Sequence, residues 1–229
     1  MPDNSITVMI PAYNEEDNIR TTVTSAWTIS GVKQVIVIDD GSRDRTAEAA
    51  RKCGAQVIEL EANSGKGGAL NAGARHVAGE IVLLIDADLG QSASEAEILS
   101  HPVISGEADM TVAVFPTGCK KGGFGLVKGL ARAGIRHFTG LEMEAPLSGQ
   151  RAMRRDLLFD LLPLAGGYGV EVDLTVRAGK MGCRIKEVPV NMLHRATGRD
   201  LKGFIHRGRQ FFHVVSALWH LKTAGCGSV

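Results

Sequence analysis

The stretch QVIVIDDGS, residues 34–42, decides the architecture. Its first half is almost unbroken apolar, the pattern of a strand covered on both faces rather than one. It then stops in Asp39, Asp40, Gly41 and Ser42, a turn-forming cluster in which Ser42 can cap a following helix. Upstream, Ser5–Ile10 is a short β-rich run ending at Pro11. Asn14 then caps a helix whose apolar face is Ile19, Val23, Ala26 and Trp27. Downstream, a helix from Ser42 runs through Ala49 and Ala50 to Gly54. A third strand spans Ala55–Leu60, a third helix Gly67–Val77, and a fourth strand Glu80–Asp86 (EIVLLID). Strands alternating with helices predict βαβ units, hence an α/β, Rossmann-like, mostly parallel sheet flanked by helices.

The second half is less regular. Asp109–Phe115 reads as a strand, Thr117–Gly125 as a Gly- and Lys-rich loop, and Leu126–Phe138 as a helix. Arg151–Leu162 (RAMRRDLLFDLL) and Gly169–Lys180 read as helices, and Arg184–Val190 as a late strand. From Leu201 to Leu221 the chain is basic, aromatic and amphipathic, with Phe204, Phe211, Val215, Leu218 and Trp219 near one helical face. No internal repeat or low-complexity segment interrupts it. The expectation is one domain over residues 1–229: a ligand-binding half over 1–90, a second half over 91–200 and an amphipathic helix over 201–229.

With 229 residues, 44% apolar and 22% charged, the chain has material for a sizeable core. A net charge of +1 gives no global field for nucleic acid. Cys53, Cys119, Cys183 and Cys226 have no metal-ligand spacing and read as free thiols of a reducing compartment. There is no basic-then-apolar leader and no apolar run near the roughly 18 residues of a membrane span. The expected location is cytoplasmic. The C-terminal stretch fits packing against the domain or a second subunit, as in a homodimer, and also peripheral contact with an anionic membrane.

In open parallel sheets ligands bind beyond the carboxyl ends of the strands, and the polar clusters fall there. Asp86 and Asp88 end a buried strand with one residue between them. Their mutual repulsion is relieved by a hard divalent cation, Mg2+ or Mn2+, which takes carboxylates together with phosphate oxygens. Alone, such a pair is also an ordinary solvated turn. Asp39 and Asp40 can accept hydrogen bonds from ribose or base. The loop Ser64-Gly65-Lys66-Gly67-Gly68-Ala69-Leu70-Asn71 enters a helix with one lysine, an arrangement that favours phosphate or, equally, tight helix packing. Its spacing is not that of a Walker A loop.

Pro11-Ala12-Tyr13-Asn14-Glu15, Asp39-Asp40-Gly41-Ser42, Gly65-Lys66-Gly67 and Asp86-Ala87-Asp88, in that order, resemble the nucleotide-binding half of family 2 glycosyltransferases, which have the GT-A fold. Ala145-Pro146-Leu147-Ser148-Gly149-Gln150, Gly167-Tyr168-Gly169-Val170-Glu171 and the pair His194-Arg195 are similar to segments of dolichyl-phosphate-sugar synthases and, more closely, of glucosyl-3-phosphoglycerate synthases. The resemblance implies a nucleoside-diphosphate sugar donor, with Pro11, Ala12, Tyr13, Glu15 and Asp40 around the nucleoside, most often uridine. It implies Lys66 near uracil or diphosphate, Asp86 and Ala87 on the ribose side, and Asp88 and His194 on the metal. Glu171 would lie near the transferred sugar or the acceptor.

Two departures bear on the acceptor. Gly125 and Val127 stand where phosphoglycerate-using relatives carry Arg and Thr, and Ala196 replaces an Asn. The acceptor class, a small molecule or a lipid phosphate, therefore stays open. Chemically, a metal on Asp88 stabilises the departing diphosphate, with Arg195, Arg199 and Lys202 in support. An inverting enzyme with a hydroxyl acceptor also needs a base, whereas a retaining one, the outcome of the closer resemblance, can work without a protein nucleophile. Glu171 and Asp173 are the candidates, on different faces of one helix, and Glu171 is favoured. Two rival readings are weaker. A nucleotidyltransferase lacks support because Pro11-Ala12-Tyr13-Asn14-Glu15-Glu16 has no glycine. A non-catalytic nucleotide-sugar-binding protein would not require Asp86, Asp88, Glu171 and His194 together.

Overall fold

The computed structural model describes residues 4–116, 125–166 and 169–192. The first half forms β1 (Ile6–Ala12), α1 (Glu16–Ala26), β2 (Val32–Asp39), α2 (Thr46–Lys52), β3 (Gln56–Glu59), α3 (Gly65–Ala74) and β4 (Ile81–Leu84). A 3-10 turn over Gly90–Ala96 leads into α4 (Glu97–Ile104) and β5 (Met110–Val114). Then follow α5 (Gly125–Thr139), β6 (Arg151–Arg154), α6 (Arg155–Asp160), α7 (Val170–Lys180) and β7 (Ile185–Pro189).

The strands form one sheet in the order β3-β2-β1-β4-β6-β5-β7. All pairings are parallel except those of β6, which runs antiparallel to both β4 and β5. This is a mixed, mostly parallel sheet, as the GT-A resemblance implies. Alternation along the strands divides the core. Val8, Ile10, Val35 and Val37 pack on one face with α1, while Met9, Ile36 and Ile38 pack on the other with α3 and α7. Strand order reverses around β1: β2 and β3 lie to one side and β4 to the other. The crevice outside the ends of β1 and β4 is therefore the switch point where such sheets hold ligands.

Several expectations are corrected. Arg151–Leu162 is not one helix. Arg151, Ala152 and Met153 are fully buried between β4 and β5, and only Arg155–Asp160 is helical. Apolar periodicity cannot separate a buried strand running into a helix from one longer helix. Asn14 does not cap α1. It occupies the left-handed region (φ 54°), which asparagine tolerates, and its side chain accepts the Arg43 N–H at 2.8 Å. Ser42 does not start α2, which begins at Thr46; its hydroxyl accepts the Asn14 N–H instead, at 2.9 Å. Trp27 is half-exposed and donates to the Cys53 carbonyl at 3.1 Å rather than joining the buried face of α1. Helix α4 is an element beyond those read from the sequence; Leu99 and Val103 form its buried side, and Pro102 lies inside it.

Candidate active site

The two loops after β1 and β2 are laced together. Besides the Asn14 contacts, the Glu15 N–H donates to Thr46 Oγ1 at 2.8 Å, and the Arg45 N–H donates to Glu16 Oε2 at 2.9 Å. This ties down the loop that follows β1, where Tyr13 is 44% exposed. The Glu15 carboxylate accepts the Asn18 side-chain amide at 2.9 Å.

Asp40 is buried and engaged with the start of α3. Its carboxylate accepts the Ser64 N–H at 2.7 Å, the Ser64 hydroxyl at 2.8 Å and the Gly65 N–H at 2.8 Å. The N–H groups that open α3 are thus turned onto Asp40 rather than left for a phosphate. Gly65 takes a left-handed backbone (φ 76°), and Gly67 serves tight packing. A Cβ on Gly67 would collide with the Ala165 carbonyl, a backbone atom that cannot rotate aside. Gly67→Ala is expected to destabilise the fold by about 1–3 kcal/mol, the usual cost of overpacking. Thermal unfolding should show a midpoint several degrees lower; an unchanged midpoint would mean that the 161–166 segment gives way freely.

Lys66, one residue into α3, reaches the centre. Its Nζ lies 2.7 Å from Asp86 Oδ1 and 3.2 Å from Glu171 Oε1. Burial works against its charge, but the two carboxylates outweigh burial and hold the ammonium well above the ordinary lysine range. Asp86 also accepts the Gln150 side-chain amide at 2.5 Å. Gly149 packs against the Lys66–Asp86 pair so closely that a Cβ there would overlap the ammonium.

The antiparallel course of β6 explains this meeting. Arg151 is registered opposite Leu84, so the residues just before it arrive beside Asp86, just after β4. Ala87 and Asp88 follow. The Ala87 carbonyl accepts the Thr22 hydroxyl at 2.7 Å, and that hydroxyl accepts the Gly90 N–H at 2.9 Å. Thr22, buried on α1, therefore braces the Asp86–Asp88 turn from beneath.

Glu171 and Asp173 both lie in the first turn of α7, favourable ground for carboxylates. They have different partners. Glu171 faces Lys66, whereas Asp173 accepts the Ala165 N–H at 3.3 Å and pairs with Arg177 at 3.4 Å. Asp173 is a fastening for the 161–166 segment, which Asn71 holds from the other side through Leu164, donating at 3.0 Å and accepting at 2.7 Å. His194, Arg195, Ala196, Arg199, Lys202 and the 201–229 stretch, like Gly167 and Tyr168, lie outside the described residues.

Sequence reading missed Gln150 as a partner of Asp86, Thr22 as its support, and the role of Asn71. All three join residues more than sixty positions apart, and no local pattern marks them. A cavity of about 910 Å3 lined by Arg132, Arg136, His137, Glu142, Glu144 and Glu187 shares no residue with this cluster. Cys53 and Cys183 are free thiols. Among the described residues no helix is long and apolar enough to cross a membrane.

The crevice thus gathers a strand-end carboxylate, one buried lysine and a helix-borne carboxylate at a topological switch point. Comparison with known proteins agrees. The glycosyl transferase family 2 model matches residues 7–159. Glycosyltransferase AglJ of Haloferax volcanii is 30% identical over 211 residues, covering 87% of this chain and 66% of that one. Glucosyl-3-phosphoglycerate synthase of Mycobacterium tuberculosis is 34% identical over 196 residues, covering 75% of this chain and 60% of that one. The chain therefore spans less than the full length of both relatives. It covers 100% of an uncharacterized glycosyltransferase of Mycobacterium tuberculosis at 30% identity. A crystal structure of the mycobacterial synthase in complex with Mn2+, uridine diphosphate and phosphoglyceric acid superposes with a TM-score of 0.77 at 29% identity, over 94% of this chain and 77% of that one. The family model over residues 7–159 and these relatives show that this chain belongs to glycosyl transferase family 2.

Proposed function

We propose that the chain moves a hexosyl group from a uridine-diphosphate sugar, of the UDP-glucose type, to an acceptor, with Mg2+ or Mn2+ at the diphosphate. The observation that carries this reading is the cluster of Lys66, Asp86 and Glu171 at the switch point, on a chain similar to a synthase crystallised with Mn2+ and UDP-glucose. Pro11, Ala12, Tyr13, Glu15 and Ala87 line the nucleoside side, and Asp40 holds the loop that carries Lys66. Asp88 is the metal's protein ligand, with His194 as a second. Among the described residues no three ligating side chains converge. The oxygen donors present suit a hard cation, which accepts one or two carboxylates and completes its shell with phosphate oxygens and water. When bound, the metal stabilises charge on the departing diphosphate. Glu171 takes the proton of a hydroxyl acceptor, and Arg195 adds positive charge at the diphosphate.

The acceptor is a different molecule from 3-phosphoglycerate. Val127, where phosphoglycerate users carry a polar residue, is a buried core side chain packed with Ala131 and Ile135 and offers nothing to a phosphate. A second reading, transfer to a polyprenyl phosphate, rests on the similarity of the 145–150 and 167–171 segments to dolichyl-phosphate-sugar synthases. The test is release of nucleoside diphosphate from UDP-glucose or GDP-mannose with manganese, alone and with 3-phosphoglycerate or a short polyprenyl phosphate. UDP release accelerated by one acceptor is expected. Acceleration by 3-phosphoglycerate would overturn the acceptor argument, and release of GDP alone would overturn the donor.

A further inference from the structure

Arg151 is the largest fully buried side chain of the described residues, and the reaction has no direct use for it. Among those residues no carboxylate lies within ion-pairing distance of its guanidinium, and the groups that accept its hydrogen bonds are uncharged. Nε donates to the Ser148 carbonyl at 3.0 Å, Nη1 to Thr175 Oγ1 at 2.9 Å, and Nη2 to the Glu171 carbonyl at 3.0 Å. Nη1 also touches Met110 Sδ at 3.6 Å. Burial draws its pKa down to about 10, against the pull of the Glu171 and Glu187 charges, so it is still an ion at neutral pH. A buried ion with no carboxylate at ion-pairing distance among the described residues costs several kcal/mol, and a well-packed apolar residue would serve the core better. Stability alone does not account for this residue.

Its three acceptors do. Ser148 precedes Gly149 and Gln150, which touch Lys66 and Asp86. Glu171 carries the other carboxylate on Lys66, and Thr175 lies one turn further along α7, its hydroxyl also donating to the Glu171 carbonyl at 2.9 Å. The guanidinium is planar and its donors diverge at fixed angles. It therefore sets the distance between the two jaws that grip Lys66: the 148–150 segment against Asp86 and the first turn of α7.

We propose that Arg151 is a positioning residue for the reaction, holding the Glu171 carboxylate and the Gly149–Gln150 segment in register across Lys66. The proposal rests on the glycosyltransfer reading of the same crevice. A site whose parts are misplaced by an ångström loses turnover before it loses affinity for distant parts of the donor.

The test compares Arg151→Met, Arg151→Lys and Thr175→Val with wild type by two readouts, UDP affinity with manganese and the turnover of UDP-glucose. Arg151→Met is expected to bind UDP within about threefold of wild type while turnover falls about a hundredfold. Arg151→Lys restores little, because one ammonium cannot span three diverging acceptors. Thr175→Val, which keeps the arginine but removes one acceptor and the second donor to the Glu171 carbonyl, falls in the same direction by about tenfold. If Arg151→Met does not fold, Thr175→Val and its combination with Glu171→Gln carry the test. Once Glu171 is gone, the valine should cost little more. Turnover unchanged in both Thr175→Val and a folded Arg151→Met overturns the proposal, as does UDP affinity lost in proportion to turnover. Wild type that binds no UDP at all sinks the underlying reading first and this inference with it.

Discussion

Replacing Lys66 by methionine is expected to lower turnover about a thousandfold. Methionine keeps much of the aliphatic length, so the packing against Gly149 survives while the charge goes. Two effects then add. Removing one fixed electrostatic group from a reacting centre costs on the order of a hundred- to a thousandfold. In addition, Asp86 and Glu171, which lie 2.7 and 3.2 Å from the ammonium, lose the charge that both of them share. Lys66→Arg should not rescue, because Gly149 already packs against the ammonium and leaves no room for a guanidinium. The sign with pH is definite. The folded state holds the lysine above its ordinary range, so its stabilising contribution is full at neutral pH and below. It declines only in alkali, as pH rises beyond that ordinary range. The stability gap between wild type and Lys66→Met should therefore be flat from about pH 6 to 9 and shrink only above. A gap that closes near neutrality would show that the ammonium is not held as described.

Glu171→Gln should separate the acceptor classes. The side chain is nearly isosteric, it keeps a polar contact to Lys66, and it cannot take a proton. For a hydroxyl acceptor, loss of the base should cost about a hundred- to ten-thousandfold in turnover with UDP affinity unchanged. A phosphate acceptor is already ionised and needs no base, so the same substitution would cost little. A large loss with a hydroxyl acceptor assigns the base to Glu171. Full activity there would move the base elsewhere, but not to Asp173, whose carboxylate is occupied by Ala165 and Arg177.

The donor half was largely legible because βαβ units write themselves locally. Apolar runs such as Val35–Ile38 and Ile81–Leu84 end in polar residues, and the strand ends are where the sheet puts ligands. What failed was local detail and distant pairing. Asn14 and Ser42 read as caps, yet each is used to lace the loops together, a choice that depends on a partner 28 residues away. Arg151–Arg154 reads as the start of a helix because the leucines after it are helically spaced; burial between β4 and β5 makes it a strand. The acids at the strand ends were visible, but which of them meets Lys66 was not. That depends on Glu171 arriving from a helix more than a hundred residues downstream. Asp40 was visible as a strand-end carboxylate, but its described partners, Ser64 and Gly65 at the start of α3, were not.

The account turns on a metal-assisted uridine-diphosphate site in the crevice between β1 and β4, and the most direct measurement is calorimetric titration with UDP, with and without manganese, on wild type and Asp88→Ala. Saturable binding that strengthens with manganese in wild type and loses that dependence in Asp88→Ala is the predicted result. No binding by wild type in either condition, or manganese dependence undiminished in Asp88→Ala, would contradict it.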